Sequence, residues 1–287
     1  MLSAVLLLTA AQTATLSANN YHVDEPMPAH LPALLWSDEF DGAALDKAKW
    51  SFDTSRNKQG WSNGELQYYA ADRAENLRFD NGHLLIELRK DPELIRKLPD
   101  WGKQKYSSAK ITTKDKVAFN TGFMEISAKL PCARGTWPAI WMMPQANAPW
   151  PEGGEIDILE QVGSQPNVAH GTLHTGLFNH VKHTGRGAET PVPTACSAFH
   201  RYQLAWTVDA ITIGVDDRGY MRVKNDQPGG KGAWPFDAPF YVILNLAMGG
   251  DWAGAKGIDD AALPQRMEVD YVRVWEMPEA PAPTQGK

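Results

Sequence analysis

Three carboxylates fall within six residues at Glu155-Ile156-Asp157-Ile158-Leu159-Glu160, inside an otherwise apolar, β-branched run. Like charges this close raise one another's pKa, so one carboxyl of the cluster can keep its proton near neutral pH while another is ionised. Retaining hydrolysis of a glycosidic bond uses that division: one carboxylate attacks as a nucleophile and one carboxylic acid donates a proton. Side chains on a strand alternate faces, so Glu155 and Asp157 point one way while Ile156 and Ile158 point the other, into a core. Glu160 breaks the parity and rejoins its partners only if Ile158 or Leu159 is absorbed as a β-bulge. A flat strand would hold the two Glu Cα atoms about 13 Å apart, whereas a retaining pair works with its carboxyl groups about 5–5.5 Å apart. Curvature and two long side chains leaning together have to close that gap. An E-x-D pattern alone also suits the wet face of an exposed strand. Here the cluster follows Trp137-Pro138-Ala139-Ile140-Trp141 and Trp150-Pro151, and indole faces are platforms for the apolar faces of sugar rings.

Further motifs recur in order along the chain: Leu35-Trp36-Ser37-Asp38-Glu39-Phe40, Gly60 to Tyr69, Gly135 to Trp141, Gly171-Thr172-Leu173-His174, Asn245 to Trp252, and Val269 to Val274. Together with Gly154-Glu155-Ile156-Asp157-Ile158-Leu159-Glu160 they resemble glycoside hydrolase family 16, in particular its laminarinase-like endo-β-1,3-glucanase branch. The resemblance implies Glu155 as nucleophile, Glu160 as general acid/base and Asp157 as the carboxylate that tunes both. It also implies a β-jelly-roll whose catalytic strand crosses a concave groove, and a polysaccharide partner of the β-glucan class. Substrate-binding roles follow for Trp137 and Trp141, which share a face expected to flank Glu155, and for Trp252 in its Gly-rich loop. Asn63, with Trp61 nearby, is expected at a sugar hydroxyl, although Ser62-Asn63-Gly64 is equally a good turn. Lys110 stands where relatives usually carry Arg, and lysine lacks the forked contact of a guanidinium. His174 is expected to meet Asp157 or substrate, or else to be a satisfied core histidine. Its i, i+4 spacing from His170 would suit a metal only on a helix, whereas this segment reads as strand.

The positioning elements are short alternating or β-branched runs such as 84–88, 122–130, 202–206, 211–215, 240–247 and 269–275, separated by Gly, Pro, Asn and Asp. That pattern predicts an all-β sandwich of two curved antiparallel sheets with an open groove. Helical turns are expected only within Pro92 to Trp101 and Asp259 to Leu263. We read a single catalytic domain over 33–276, preceded by a signal peptide (1–18) and a Pro-rich lead (19–32) and followed by a Pro/Ala tail (277–287). The signal peptide lacks the usual positive start, but its apolar stretch is too short to span a bilayer, so secretion or a periplasmic location is expected.

The 287 residues carry a net charge of −6, which argues against nucleic acid or an anionic membrane as partner. Eleven Trp make the composition unusual, and about half of them are expected in core packing. Cys132 and Cys196 are the only cysteines; they permit one disulfide or two buried thiols. Catalysis needs no cofactor. Glu39, the backbone of Gly82 and Asp270 match positions that hold a structural calcium ion in many relatives. A monomer is expected. Rival readings are a mixed-linkage β-glucanase, a galactan hydrolase, a transglycosylase and a non-catalytic glucan-recognition protein, the last disfavoured because all three acids are present.

Overall fold

The computed structural model describes residues 21–29 and 31–277. The expected signal peptide, and the tail beyond Met277, lie outside the described residues. Alternating runs do become strands, among them His83–Lys90, Gly122–Lys129, His200–Trp206, Ala210–Val215, Phe240–Met248 and Gln265–Trp275. They build two sheets. The seven-stranded sheet runs in the order Arg186–Pro191, Val168–His174, Glu155–Glu160, Thr136–Pro144, Phe240–Met248, Lys110–Thr112, Ser51–Phe52, with every pairing antiparallel. The eleven-stranded sheet is centred on Gly122–Lys129 and Gln265–Trp275. It contains one parallel pairing, between Gln67–Tyr69 and Tyr106–Ser108.

Period-2 patterning decides which face is dry. Along Phe240–Met248, Val242, Leu244, Leu246 and Met248 enter the core, whereas Asn245 and Ala247 turn to the opposite face. The other sheet answers with Ile126, Ala128, Val269, Val272 and Val274. Each fully buried aliphatic side chain of this kind stabilises the fold by about 1.5–3 kcal/mol. Truncating Leu244 to Ala would cost about 2–5 kcal/mol, because the rigid sheets cannot collapse onto the void.

Among the described residues helix is confined to single turns. Pro92–Ile95 and the 3-10 turn Asp260–Ala262 fall in the two segments where turns were expected. A third, Gly250–Ala253, lies within the Gly-rich loop of Trp252. Among the described residues no helix is long and apolar enough to cross a membrane. The lead is less separate than its prolines suggest. His22–Pro26 pairs with Arg218–Lys224 as an edge strand, Met27 is buried against Phe123 and Ala205, and Met277 packs against the same cluster.

Candidate active site

The central strand Glu155–Glu160 lies between Thr136–Pro144 and Val168–His174. Asp157 opposes Trp141 and Thr172, while Glu160 opposes Ala139 and His170. Three steps on the central strand therefore match two on each neighbour, which is the bulge expected at Ile158 and Leu159. Both of those side chains are buried in the core. The inserted residue returns Glu160 to the side of Glu155 and Asp157, and all three carboxyls line one cleft of about 1080 Å³. Gly154 makes the entry to the strand possible: its φ is +86°, and a Cβ there would lie 2.6 Å from Pro235.

Charge is distributed unequally among the three acids. Burial raises the pKa of Asp157 well above its ordinary value, and the charges of Glu155 and then Glu160 push it further, all favouring its protonated form. Burial followed by the charge of Glu155 raises Glu160 to about 8, against the opposing hydrogen bond from Trp137. Burial also raises Glu155, but hydrogen bonds from Trp150 and Asp157 and the charge of Lys110 all favour its ionised form. Glu155 is thus the acid best supplied to be an anion, and Glu160 is protonated at neutral pH. His174 Nε2 approaches Asp157 Oδ2 to 3.4 Å, but the expected hydrogen bond is not formed, and Asp157 Oδ2 has no hydrogen-bond partner among the described residues. Burial and then the neighbouring His180 lower the His174 pKa to about 4, which leaves the imidazole neutral.

Trp137 and Trp141 both line the cleft that holds Glu155, on one face as expected. Trp137 donates its indole N–H to Glu160 Oε1 at 3.0 Å, and Trp141 opposes Asp157 and donates to Asn245 Oδ1 at 2.7 Å. The indole N–H that points at Glu155 Oε2 belongs to the half-exposed Trp150. Strand pairing sets Trp137 against the Glu160 end of the central strand. Trp252 lines the cleft edge-on to Trp137, with ring centres 5.3 Å apart. Asn63 lines the cleft and adopts the left-handed turn its sequence offered, with φ +59°. Trp61 lines the cleft beside Lys110, whose Nζ lies 4.8 Å from one indole ring centre, that of Trp61, and 5.0 Å from that of Trp141. Lys110 is buried and paired with Asp53 at 3.0 Å.

Several cleft residues were not singled out from sequence. Asp53 reveals itself only through Lys110, and Tyr69 donates nothing legible to a pattern, although its hydroxyl accepts from Asn245 at 3.0 Å. Glu65 is a further cleft carboxyl; burial raises its pKa, and it accepts from Gln67 at 2.7 Å. Its signal was present, an acid directly after the Asn63-Gly64 turn, but an acid beside a turn is common.

The calcium expectation meets a different arrangement. Glu39 receives a forked contact from Arg273, with bonds of 3.1 and 2.7 Å, so a cation already occupies its carboxylate. Asp270 accepts from Ser127 at 3.2 Å. Among the described residues no three His, Cys, Asp or Glu side chains are grouped to hold a metal ion. Arg273 thus gives Glu39 a counter-charge from the protein itself. The cysteines are resolved in favour of the disulfide: Cys132 and Cys196 are bonded, with Cα atoms 5.8 Å apart.

Comparison with known proteins agrees with this geometry. Residues 64–273 match the family model described as glycosyl hydrolases family 16. A β-glucanase of Rhodothermus marinus is 45% identical over 251 residues, covering 84% of this chain and 84% of the relative. Among solved structures, a non-specific endo-β-1,3(4)-glucanase superposes with a TM-score of 0.85 at 49% identity, covering 90% of this chain and 97% of that one. The laminarinase of Rhodothermus marinus superposes at 0.80 with 45% identity, over 86% and 98% of the two chains.

Proposed function

This chain belongs to glycosyl hydrolase family 16, and from that premise we propose that it cuts β-1,3-linked glucan internally, with retention, by double displacement on Glu155 and Glu160. One observation carries the proposal: the bulge that brings Glu160 back to the cleft wall shared by Glu155 and Asp157. Glu155, the acid most stabilised as an anion, attacks the anomeric carbon while protonated Glu160 gives its proton to the departing glycosidic oxygen. Forming the glycosyl ester removes the charge of Glu155. That charge is a main cause of the raised Glu160 pKa, so Glu160 becomes a weaker acid-holder when it has to take a proton from water. Asp157, kept neutral, can donate to Glu155 in the first step and support its return as leaving group in the second. Indoles at Trp61, Trp137, Trp141 and Trp252 supply stacking surface along the cleft.

Activity on mixed-linkage β-1,3-1,4-glucan is the second reading, favoured by the fold's likeness to a non-specific endo-β-1,3(4)-glucanase. Secretion belongs to the same proposal, since a disulfide suits an oxidising compartment and a polymer substrate is met outside the cell. The test is reducing-sugar release from laminarin and lichenan, with the anomer first formed read by NMR. Glu155→Gln is expected to abolish turnover while oligosaccharide binding stays measurable. Full turnover by that variant, or an inverted first product, would overturn the assignment.

A further inference from the structure

Outside the cleft, the segment that follows the turn Pro92–Ile95 reaches back to the loop that carries Trp61. Its contact point is Asn57, which is fully buried. Asn57 Nδ2 donates to Tyr69 O and to Asp100 Oδ2, each at 2.9 Å. Asn57 Oδ1 accepts from Tyr69 N at 2.9 Å and from the indole N–H of Trp61 at 3.2 Å. The four bonds of this amide therefore tie together three residues, Trp61, Tyr69 and Asp100. Asp100 divides its carboxyl between the two strands of the arrangement: one oxygen takes Asn57 and the other takes the Tyr68 hydroxyl at 2.5 Å. Gly102 closes the clamp. A Cβ there would meet Asn57 O at 2.4 Å, so the backbones lie as close as a side-chain-free residue permits.

An amide oriented by so many partners has one degree of freedom left to lose, and the Trp61 ring depends on it. Trp61 also rests edge-on against Tyr69, with ring centres 4.7 Å apart, and beneath Lys110. Among the described residues Asn57 is the one hydrogen-bond partner of its indole N–H. We propose that Asp100 is a positioning residue for substrate binding: it locks the Asn57 amide, the amide holds the Trp61 indole, and the indole face is thereby presented to a glucan chain. Asp100 does not line the cleft, so it acts on the substrate only through that relay. The proposal rests on the glucanase reading for the identity of the ligand, and on the observed hydrogen bonds for everything else.

The expected signature is in binding rather than chemistry. Asp100→Ala removes one of the two acceptors of Asn57 Nδ2, leaves the amide held by Tyr69 alone against the pull of Trp61, and by loosening it raises KM for laminarin about three- to tenfold, the scale of one or two lost hydrogen bonds. kcat stays within about twofold, because no group near Glu155 or Glu160 is touched. A merely structural role would lower stability without that split. Coupling to Trp61 is read from a double-mutant cycle: in a Trp61→Ala background, Asp100→Ala is expected to leave KM unchanged. Tyr68→Phe, which removes the other donor to Asp100 and leaves Asn57 in place, gives a milder rise in KM and serves if Asp100→Ala does not fold. Oligosaccharide titration in the Glu155→Gln background reads the same effect as a weaker Kd without turnover. An unchanged KM and Kd, or an equal effect of Asp100→Ala with and without Trp61, would overturn the relay. Absence of glucan hydrolysis by the unsubstituted enzyme would instead strike the functional reading itself.

Discussion

Trp137 holds its indole N–H 3.0 Å from Glu160 Oε1, across the pairing of adjacent strands. A donor aimed at a carboxylate favours the ionised form, so this bond works against the burial and the Glu155 charge that raise Glu160 to about 8. Trp137→Phe keeps a ring against Trp252 and removes only the donor. The alkaline limb of kcat/KM is then expected to move to higher pH, and kcat to fall several-fold because the carboxyl is no longer held in one orientation. An unshifted alkaline limb would mean that the bond does not act on the proton donor.

For the unsubstituted enzyme, kcat/KM is expected to be bell-shaped. Its alkaline limb falls near pH 8 as Glu160 loses the proton needed by the leaving group, and its acid limb follows protonation of Glu155. Glu160→Gln should lose the alkaline limb. An aryl glucoside with an activated phenol needs no proton, so the variant should still form the glycosyl ester there, and azide should restore turnover with a β-glycosyl azide as product. A profile limited at neither end by these groups would contradict the division of labour.

Stability should carry the same signature with its own sign. A carboxyl whose folded pKa lies above its unfolded value binds its proton more tightly in the native state. Its contribution is therefore fully present below about pH 4.5 and is lost as pH rises through about 8. In Glu160→Gln that loss is absent. Between pH 5 and 8 the melting temperature of the variant should fall less steeply than that of the parent, and at pH 8 it should lie several degrees higher. Parallel slopes would show that Glu160 titrates in the ordinary range.

Much of this was legible from residues alone, and the limits have physical causes. The parity defect at Glu160 announced the bulge because strand periodicity is strict at two, and a buried acid is too costly to leave in the core. The sandwich followed from alternation along runs such as Phe240–Met248. What stayed hidden depends on register and on through-space pairing. Nothing in the spacing of Trp137 and Trp141 reveals that pairing sets Trp137 against Glu160, or that Trp150 is the indole at Glu155. Asp53 and Lys110 are 57 positions apart and meet only because two short strands, Ser51–Phe52 and Lys110–Thr112, lie side by side. The Arg273 contact to Glu39 is likewise invisible.

The disulfide offers a test that connects stability to the catalytic strand. Cys132 and Cys196 are separated by 64 positions, and closing a loop of that size removes about 4 kcal/mol of chain entropy from the unfolded state. Gln161, next to Glu160 and fully buried, donates to Pro131 O at 3.0 Å and accepts from Asn167 N at 3.0 Å. Asn167 Oδ1 in turn accepts from Cys196 N at 3.3 Å. The bridge therefore braces both ends of the turn that follows the proton donor. Reduction, or a Cys132→Ser, Cys196→Ser double variant, should lower the melting temperature by roughly 8–16 °C. At temperatures well below that transition kcat should change little, because Gln161 keeps its two backbone partners without the sulfur bridge. A melting temperature indifferent to reductant would show that the bridge adds nothing, and a collapse of kcat at low temperature would show that Glu160 depends on the bridge directly.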